Sequence, residues 1–289
     1  MEFLEVSLYM KKTLKFNFDR NIGTVIYFVE GGNTEFSLLQ IIFGKILHYD
    51  FVEKKRHRPA KFIDNNCKHN QVYVINTSES NISDISDKKF LDEVCEYLIN
   101  EYGLDLDNAA KFYLFDRDKG SNTNQELIEY YLRVLTEPYG DDTEFEKGGL
   151  LLLSFPSIEA FVLSNFIDNI HKSEYKYGHE LKTFMGKEEN QKTIQFNKIS
   201  DETLIFATNE FLRYVESIDE ELNLDAISEL NKTIYKSEEE NCGLTGKYRV
   251  VSELVLSLLY LGVMEIFSRI NSDFQGLSTS EIQKGLIKY

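Results

Sequence analysis

The chain has 289 residues, of which 42% are hydrophobic and 13% are aromatic, and it contains no Trp. A chain of this length can bury a substantial core without disulfide or metal staples, which excludes the small stapled scaffolds. Its 32 Lys and Arg face 48 Asp and Glu, and the formal net charge of −16 opposes nonspecific attraction to nucleic acid or other polyanions.

The first half of the chain alternates apolar strands with helices. Continuous apolar runs predict strands at residues 24–29, 71–75, 111–115 and 149–154. Apolar residues at helical spacing predict helices at residues 34–47, 87–102 and 124–135. Buried strands separated by helices favour a mostly parallel sheet with helices on both faces. We therefore expect an α/β fold with a four-stranded sheet, in a first domain of residues 1–155.

From Pro156 onward the pattern becomes helical. Helices are predicted at residues 158–170, 200–222 and 253–270, and the polar stretches 187–192 and 237–241 predict loops between helices. The longest apolar segment, residues 250–266, contains polar and acidic positions and is too short for a membrane span, so a buried helix is expected. Residues 156–289 are thus expected to form an all-helical C-terminal region, either as a separate domain or packed on the sheet.

Two features bear on the location of the protein. Residues 1–20 contain no apolar core of signal-peptide length. The three cysteines, Cys67, Cys95 and Cys242, are widely spaced and support neither a disulfide framework nor a zinc site. A cytoplasmic protein without a membrane partner is expected.

Two of the predicted strands end in acidic pairs. Strand 24–29 leads into Glu30-Gly31-Gly32-Asn33-Thr34-Glu35, and strand 111–115 leads into Asp116-Arg117-Asp118. The carboxyl ends of parallel strands meet at one edge of an open α/β sheet, so these acids are expected in one pocket. Their hard carboxylate oxygens are the ligands that Mg²⁺ or Mn²⁺ prefers. Glu30 is a candidate metal ligand or general acid or base, and Asp116 and Asp118 are candidate metal ligands.

Three further side chains each have two interpretations. Glu35 is either a metal ligand or a first-turn acid that complements the helix dipole, and the same alternatives hold for Glu159, which lies one helical turn after Pro156. Lys119, next to the acid pair, either neutralises a substrate phosphate or is solvated in its turn.

Positive charge is concentrated in the run Lys54-Lys55-Arg56-His57-Arg58. A nucleic-acid enzyme with so acidic a composition has to localise its cationic groups, because phosphate binding depends on counterion release by Lys and Arg. The run is either the docking patch for a polyanion or a solvated surface loop.

The two acidic motifs resemble those of the Toprim family, in which a Glu-Gly turn follows the first strand and an Asp-x-Asp pair follows a later one. The Glu30–Glu35 motif is similar to that of Toprim nucleases of bacterial phage defence, the OLD-like, RloB-like and abortive-infection groups. The segment Pro156–Glu159 is similar to the end of an Asn-Pro-x-x-Glu element of RloB-like members, with Phe155 in place of the Asn. The resemblance covers the chain to about residue 165.

The resemblance implies a Mg²⁺- or Mn²⁺-dependent endonuclease that cleaves DNA or RNA, as a toxic effector in anti-phage defence. It also leaves room for a partner ATPase or regulatory protein and for a homo-oligomer. Two other classes stay open on the residues alone. An Asp-x-Asp pair also serves Mg/Mn-dependent nucleotidyl- and glycosyltransferases, and an acidic surface suits a noncatalytic interaction protein.

Overall fold

The structure is a computed structural model that describes residues 11–31, 33–53, 59–77, 88–120, 122–136 and 148–269. The described strands are Lys11–Phe16 (β1), Thr24–Val29 (β2), Asp50–Glu53 (β3), Ala60–Ile63 (β4), Gln71–Asn76 (β5), Ala110–Asp116 (β6), Leu150–Phe155 (β7), Glu174–Tyr175 (β8), Tyr248–Arg249 (β9), Val251–Ser252 (β10) and Met264–Arg269 (β11).

The described α-helices are Thr34–Leu39 (α1), Lys88–Tyr102 (α2), Gln125–Val134 (α3), Glu159–Ser164 (α4), Gly178–Met185 (α5), Glu188–Gln191 (α6), Asp201–Ser217 (α7), Ile227–Thr245 (α8) and Leu254–Tyr260 (α9). Helix α1 continues as a π-helix over Gln40–Ile46. Short 3₁₀ turns occur at Ile170–Lys172, Phe196–Lys198 and Leu224–Ala226.

The main sheet has seven strands in the order β10-β7-β6-β2-β5-β4-β3. Its four central strands, β7, β6, β2 and β5, are all parallel to one another and are the four strands predicted from the sequence. The α/β class is therefore confirmed. The expected four-stranded sheet is wrong in extent, because antiparallel β4 and β3 extend one edge and antiparallel β10 extends the other.

Helices cover both faces of this sheet. On one face, the Tyr27 ring of β2 packs at 5.9 Å from Phe43 of the π-helix, and its hydroxyl donates to Ser257 of α9 at 2.9 Å. On the other face, Phe28 stacks on Tyr113 of β6 at 4.7 Å, and Tyr73 of β5 packs against Tyr102 of α2 at 5.4 Å. Because both faces are covered, residues Val25–Val29 are buried without alternation, as the continuous apolar run predicts.

The expectation of an all-helical C-terminal region is wrong. Strand β10 joins the main sheet beside β7, β8 pairs with β9, and β11 pairs with β1 near the other end of the chain. The predicted helix over residues 253–270 ends at Tyr260. Gly262 follows at φ 68°, a conformation that favours glycine, and the alternating residues after it continue as β11.

The polar run at residues 237–241 is helical, although it was predicted to be a loop. It lies inside helix α8, where Glu238 accepts a hydrogen bond from Tyr214 and Glu239 pairs with Arg117. These contacts with other elements stabilise the helix at a stretch that is polar in sequence. The longest apolar segment contains β10, α9 and the start of β11. No helix in the described part of the chain is long and apolar enough to cross a bilayer. Elements on both sides of residue 155 contribute to one hydrophobic core.

Candidate active site

The acidic candidates lie at the carboxyl ends of three adjacent parallel strands. Glu30 follows β2, Asp116 ends β6, and Glu159 begins α4 after β7. Backbone hydrogen bonds keep these strand ends level with one another: the Glu30 N–H donates to the Leu114 carbonyl at 3.2 Å, and the Arg117 N–H donates to the Ser154 carbonyl at 2.8 Å. The topology thus brings together acids that are far apart in sequence.

Glu30 is buried and is held by two donors. Its Oε2 accepts the backbone N–H of Asp116 at 2.7 Å and the side-chain amide of Asn122 at 3.0 Å. Burial and, to a smaller extent, the charges of Glu35 and Asp118 raise the pKa of Glu30 to about 7 despite the opposing effect of the two donors. The group is therefore poised between its charged and neutral forms near neutral pH.

Asp116 is the neighbour of Glu30 and is fixed by the turn after β7. Its Oδ1 accepts the backbone N–H of Ile158 at 2.7 Å. Burial raises the pKa of Asp116 well above its usual range, and the negative charges of Glu30, Glu35 and Glu159 add to the rise. These four carboxyl groups therefore interact electrostatically as one cluster.

Glu35 and Glu159 face each other across the cluster. Burial raises the pKa of Glu35, the charge of Glu159 raises it further, and the backbone N–H groups of Glu35 and Gly31 lower it. A Cβ on Gly31 would lie 2.8 Å from Glu35 Oε2, so a side chain at this position would displace the Glu35 carboxylate. Glu159 accepts the Ser157 hydroxyl at 2.8 Å and lies 3.6 Å from the Lys182 ammonium. Both acids occupy first turns of their helices and belong to the cluster, and metal ligation by them stays a prediction.

Asp118 lies just outside the strand, because β6 ends at Asp116. Its Oδ1 accepts the Gly120 N–H at 2.6 Å and its Oδ2 accepts the Gly178 N–H at 3.0 Å. Asp118 thus joins the site to the start of α5, while its charge still reaches Glu30. A Cβ on Gly178 would lie 2.7 Å from the Ser157 Cβ, so glycine permits this close approach.

The residue between the two aspartates points away from the cluster and anchors it. The Arg117 guanidinium makes a bidentate ion pair with Glu239 of α8, at 2.8 and 3.0 Å, and lies over the Tyr248 ring. It also donates to the backbone carbonyl of Asn122, whose side chain binds Glu30. A continuous chain of contacts therefore links helix α8 to Glu30.

Sequence reasoning missed Asn122, Gly178, Lys182 and Glu239. Each belongs to a loop or helix that meets the acids only through tertiary packing, and none stands in a pattern typical of a site. Lys119 lies in the turn closed by Asp118 and Gly120 and is partly exposed. The predicted docking run, Lys54, Lys55, Arg56 and Arg58, lies outside the described residues.

The donor chemistry of this cluster fits a hard divalent cation. The negative charges of Glu30, Glu35, Asp116 and Glu159 repel one another, and a bound cation would offset that repulsion. Among the described residues, no group of three or more His, Cys, Asp or Glu side chains is already spaced to hold a metal ion. The arrangement shown is a carboxylate cluster whose oxygens accept hydrogen bonds from backbone and side-chain donors.

Comparisons of the chain with protein-family models, with curated proteins and with solved structures found no match. What the protein does has to be inferred from the site itself.

Proposed function

We propose that the protein is a metal-dependent nuclease of the Toprim type, an endonuclease that hydrolyses phosphodiester bonds. The observation that supports the proposal is the convergence of Glu30, Asp116 and Glu159 at three adjacent parallel strand ends, where Glu35 joins them and Glu30, Glu35 and Glu159 are buried. Structural carboxylates that are buried are normally paired with cations or with donors that neutralise them. A cluster of mutually repelling acids at the ligand-binding edge of an α/β sheet is instead suited to cation-dependent chemistry.

Mg²⁺ or Mn²⁺ would be held by Glu30, Asp116, Glu35 and Glu159, with Asp118 beside them. The cation would polarise the phosphodiester, supply hydroxide from a bound water and stabilise the leaving oxygen. Glu30 is the candidate for proton transfer, since its pKa of about 7 lets it hold or release a proton at neutral pH. Asn122 and the Asp116 N–H orient its carboxyl group, and Arg117 holds Asn122 in place.

The proposed biological setting follows from the Glu-Gly-x-x-Thr-Glu and Asp-x-Asp motifs. The enzyme would act in the cytoplasm on DNA or RNA, as a toxic effector of anti-phage defence. A partner ATPase or regulatory protein would restrain it until infection. Assembly as a homo-oligomer is part of the same proposal.

The proposal is tested with the purified full-length chain. Supercoiled plasmid DNA and a labelled RNA are incubated with Mg²⁺, Mn²⁺ or EDTA, and binding of Mn²⁺ is followed by calorimetry. We expect nicking or linearisation of DNA, or cleavage of RNA, that EDTA abolishes. The matched variants are Glu30→Gln and Asp116→Asn in the cluster and Glu229→Gln on the exposed surface of α8, where the carboxylate pairs with Lys232.

The other two classes give different results in the same experiment. Consumption of a nucleoside triphosphate or nucleotide sugar without cleavage would favour a nucleotidyl- or glycosyltransferase. Absence of Mn²⁺ binding together with absence of cleavage would leave the noncatalytic interaction protein and overturn the proposal.

A further inference from the structure

An acidic nuclease needs a local surface that attracts the phosphate backbone of its substrate. The described part of the chain contains one such surface beside the carboxylate cluster, which we name the lysine surface. It comprises the exposed lysines of residues 172–198, namely Lys172, Lys176, Lys182, Lys187, Lys192 and Lys198. The same residues hold the four acids Glu174, Glu180, Glu188 and Glu189, so the segment carries a net positive charge in a chain of net charge −16.

The lysine surface begins at the site. The N–H of Gly178, the first residue of α5, donates to Asp118 at 3.0 Å, and Lys182, one turn later, lies 3.6 Å from Glu159. The far end of the segment is tied to the catalytic region by Lys45 of the π-helix, which donates to the carbonyls of Asn197 and Ile199. The segment therefore starts beside Asp118 and Glu159 and ends beside the π-helix that follows Glu35.

Two of the four acids in the segment are occupied by contacts within the protein. Glu180 accepts the backbone N–H groups of Lys176 and Tyr177 at 2.7 and 2.9 Å, and Glu174 accepts the Asn241 amide at 3.0 Å. These hydrogen bonds fix the two carboxylates in place without cancelling their charge. The six lysines of the segment still outnumber its four acids.

The aromatic side chains of the surface favour a duplex over a single strand. Single-stranded nucleic acid is held by bases that stack on open aromatic rings. Here the Tyr177 ring stacks on His179 and lies 4.8 Å from the Lys176 ammonium, and the Phe184 ring is covered by Lys187 at 5.4 Å. The Tyr177 and Phe184 rings therefore contact cationic or aromatic side chains of the protein, which compete with stacking by a base. Cations presented in this way suit the backbone of a duplex, which is recognised without base contacts.

We infer that the lysine surface is the docking site for the phosphate backbone of a double-stranded nucleic acid, which it delivers to the carboxylate cluster. This inference rests on the proposed nuclease function and names the class of substrate. It is independent of the basic run at residues 54–58.

The test measures binding separately from cleavage. A fluorescent DNA duplex of about 20 base pairs is titrated with the full-length protein at several salt concentrations, with Ca²⁺ in place of Mg²⁺ so that the duplex stays intact. The test variant replaces Lys176, Lys187 and Lys192 by Ala. The control variant replaces three lysines distant from the site, Lys15, Lys68 and Lys232. Lys68 precedes β5, and Lys232 follows Asn231, whose amide binds the Leu151 carbonyl near the start of β7.

We expect the test variant to bind the duplex at least about 10-fold more weakly at moderate salt, and the slope of log K against log salt to fall by about 2–3, since each lost phosphate contact removes about 0.9. The control variant should bind like the wild type. Equal binding and an equal slope for the wild type and the test variant would overturn the inference, even if the wild type cleaves DNA. Preferential binding of a single-stranded probe through the same lysines would overturn its duplex specificity. A wild type that neither binds nor cleaves any probe counts against the proposed function itself.

Discussion

Buried carboxylates occur in two regions of this molecule, and their partners differ. In helices α7 and α8, the buried acids Glu210 and Glu238 are each paired with an arginine. Glu238 accepts Arg249 Nε at 2.7 Å and the Tyr214 hydroxyl at 2.8 Å, while Glu210 accepts Arg213 at 2.6 Å and contacts His171 at 3.1 Å. These acids fix helices α7 and α8 and strand β9 against one another.

At the strand ends the acids face one another. Neighbouring acids raise the pKa of Glu30, Glu35 and Asp116, and among the described residues the cation beside the cluster is Lys182, whose side chain is 62% exposed. An exposed lysine at 3.6 Å offsets little of the repulsion. The comparison shows that burial alone does not identify a functional acid. The sign of the neighbouring charges is what distinguishes the two regions. Where the neighbours of a buried acid are other acids, a bound cation would relieve the repulsion between them.

The largest expected effect is the loss of cleavage activity when an acid of the cluster is replaced. Glu30→Gln or Asp116→Asn should lower metal-dependent cleavage by roughly 10²–10⁴-fold, since each removes a ligand or proton-transfer group. The free energy of unfolding without metal should stay equal or rise, because one repelling charge is removed. Cleavage rates and urea unfolding check the two halves of this prediction. Full activity in either folded variant would contradict the assignment of the site.

The next effect concerns the arginine-paired acids of helices α7 and α8. Glu238→Ala should lower the free energy of unfolding by about 3–5 kcal/mol, because it leaves Arg249 and Tyr214 without the buried acceptor that they share. Urea denaturation measures the loss. The adjacent exposed Glu240 provides the control, and Glu240→Ala should change stability by less than about 0.5 kcal/mol. Equal effects at the two positions would show that Glu238 contributes no specific pairing.

The sequence predicted the centre of the fold better than its edges. Long apolar runs such as Leu150-Leu151-Leu152-Leu153 are buried on both faces and signal parallel strands without ambiguity. Edge elements lack that signal. Strand β10 has two residues, and β1 and β11 pair across almost the whole chain, so that local periodicity does not report their partnership. The helix predicted over residues 253–270 is therefore correct at its start but extends past Tyr260 into β11.

Part of the candidate site could likewise be predicted from the sequence. The acids at strand ends are a local pattern, and topology alone brings Glu30 beside Asp116. The residues that orient them are not local: Asn122 binds Glu30 across a loop, and Glu239 binds Arg117 from a helix 122 residues away. Such contacts depend on how α8 packs beside α3, which no short motif encodes.

A smaller effect is expected in the pH dependence of stability. The pKa of Glu30 is raised from 4.5 to about 7, so between these values the folded protein keeps a proton that the unfolded chain has released. Stability should therefore fall as pH rises from about 4.5 to 7, by about 1–3 kcal/mol for this group, and stay lowered above pH 7. Urea unfolding in EDTA across this range measures the slope.

Urea unfolding with added Mn²⁺ tests whether the cluster binds a cation. A cation that binds only the folded cluster restores stability at pH 7 more than at pH 5, because protonated carboxyl groups bind metal poorly. Glu30→Gln should flatten the slope in EDTA. A slope that is unchanged in this variant would assign the pH dependence to other groups.

The smallest expected effect is at Glu253, a fully buried acid that directly precedes α9. Its Oε2 accepts the Leu153 N–H at 2.7 Å and the Asn231 amide at 2.9 Å, and burial raises its pKa well above the usual range. Within the described residues, Glu253 Oε1 and Asn231 Oδ1 are buried without a recorded hydrogen bond. A protonated carboxyl group would supply the donor that this pair of oxygens lacks.

Glu253→Gln should then change the free energy of unfolding by less than about 1 kcal/mol, because an amide of the same shape keeps the acceptor for Leu153 and Asn231 and carries its own N–H donor. Glu253→Ala should cost about 2–3 kcal/mol or more, since it leaves buried donors unsatisfied. Urea unfolding of both variants at pH 7 compares them. A loss for Glu253→Gln as large as that for Glu253→Ala would mean that Glu253 is ionised in the folded protein, and buried repelling acids would then no longer distinguish the strand-end cluster from the rest of the molecule.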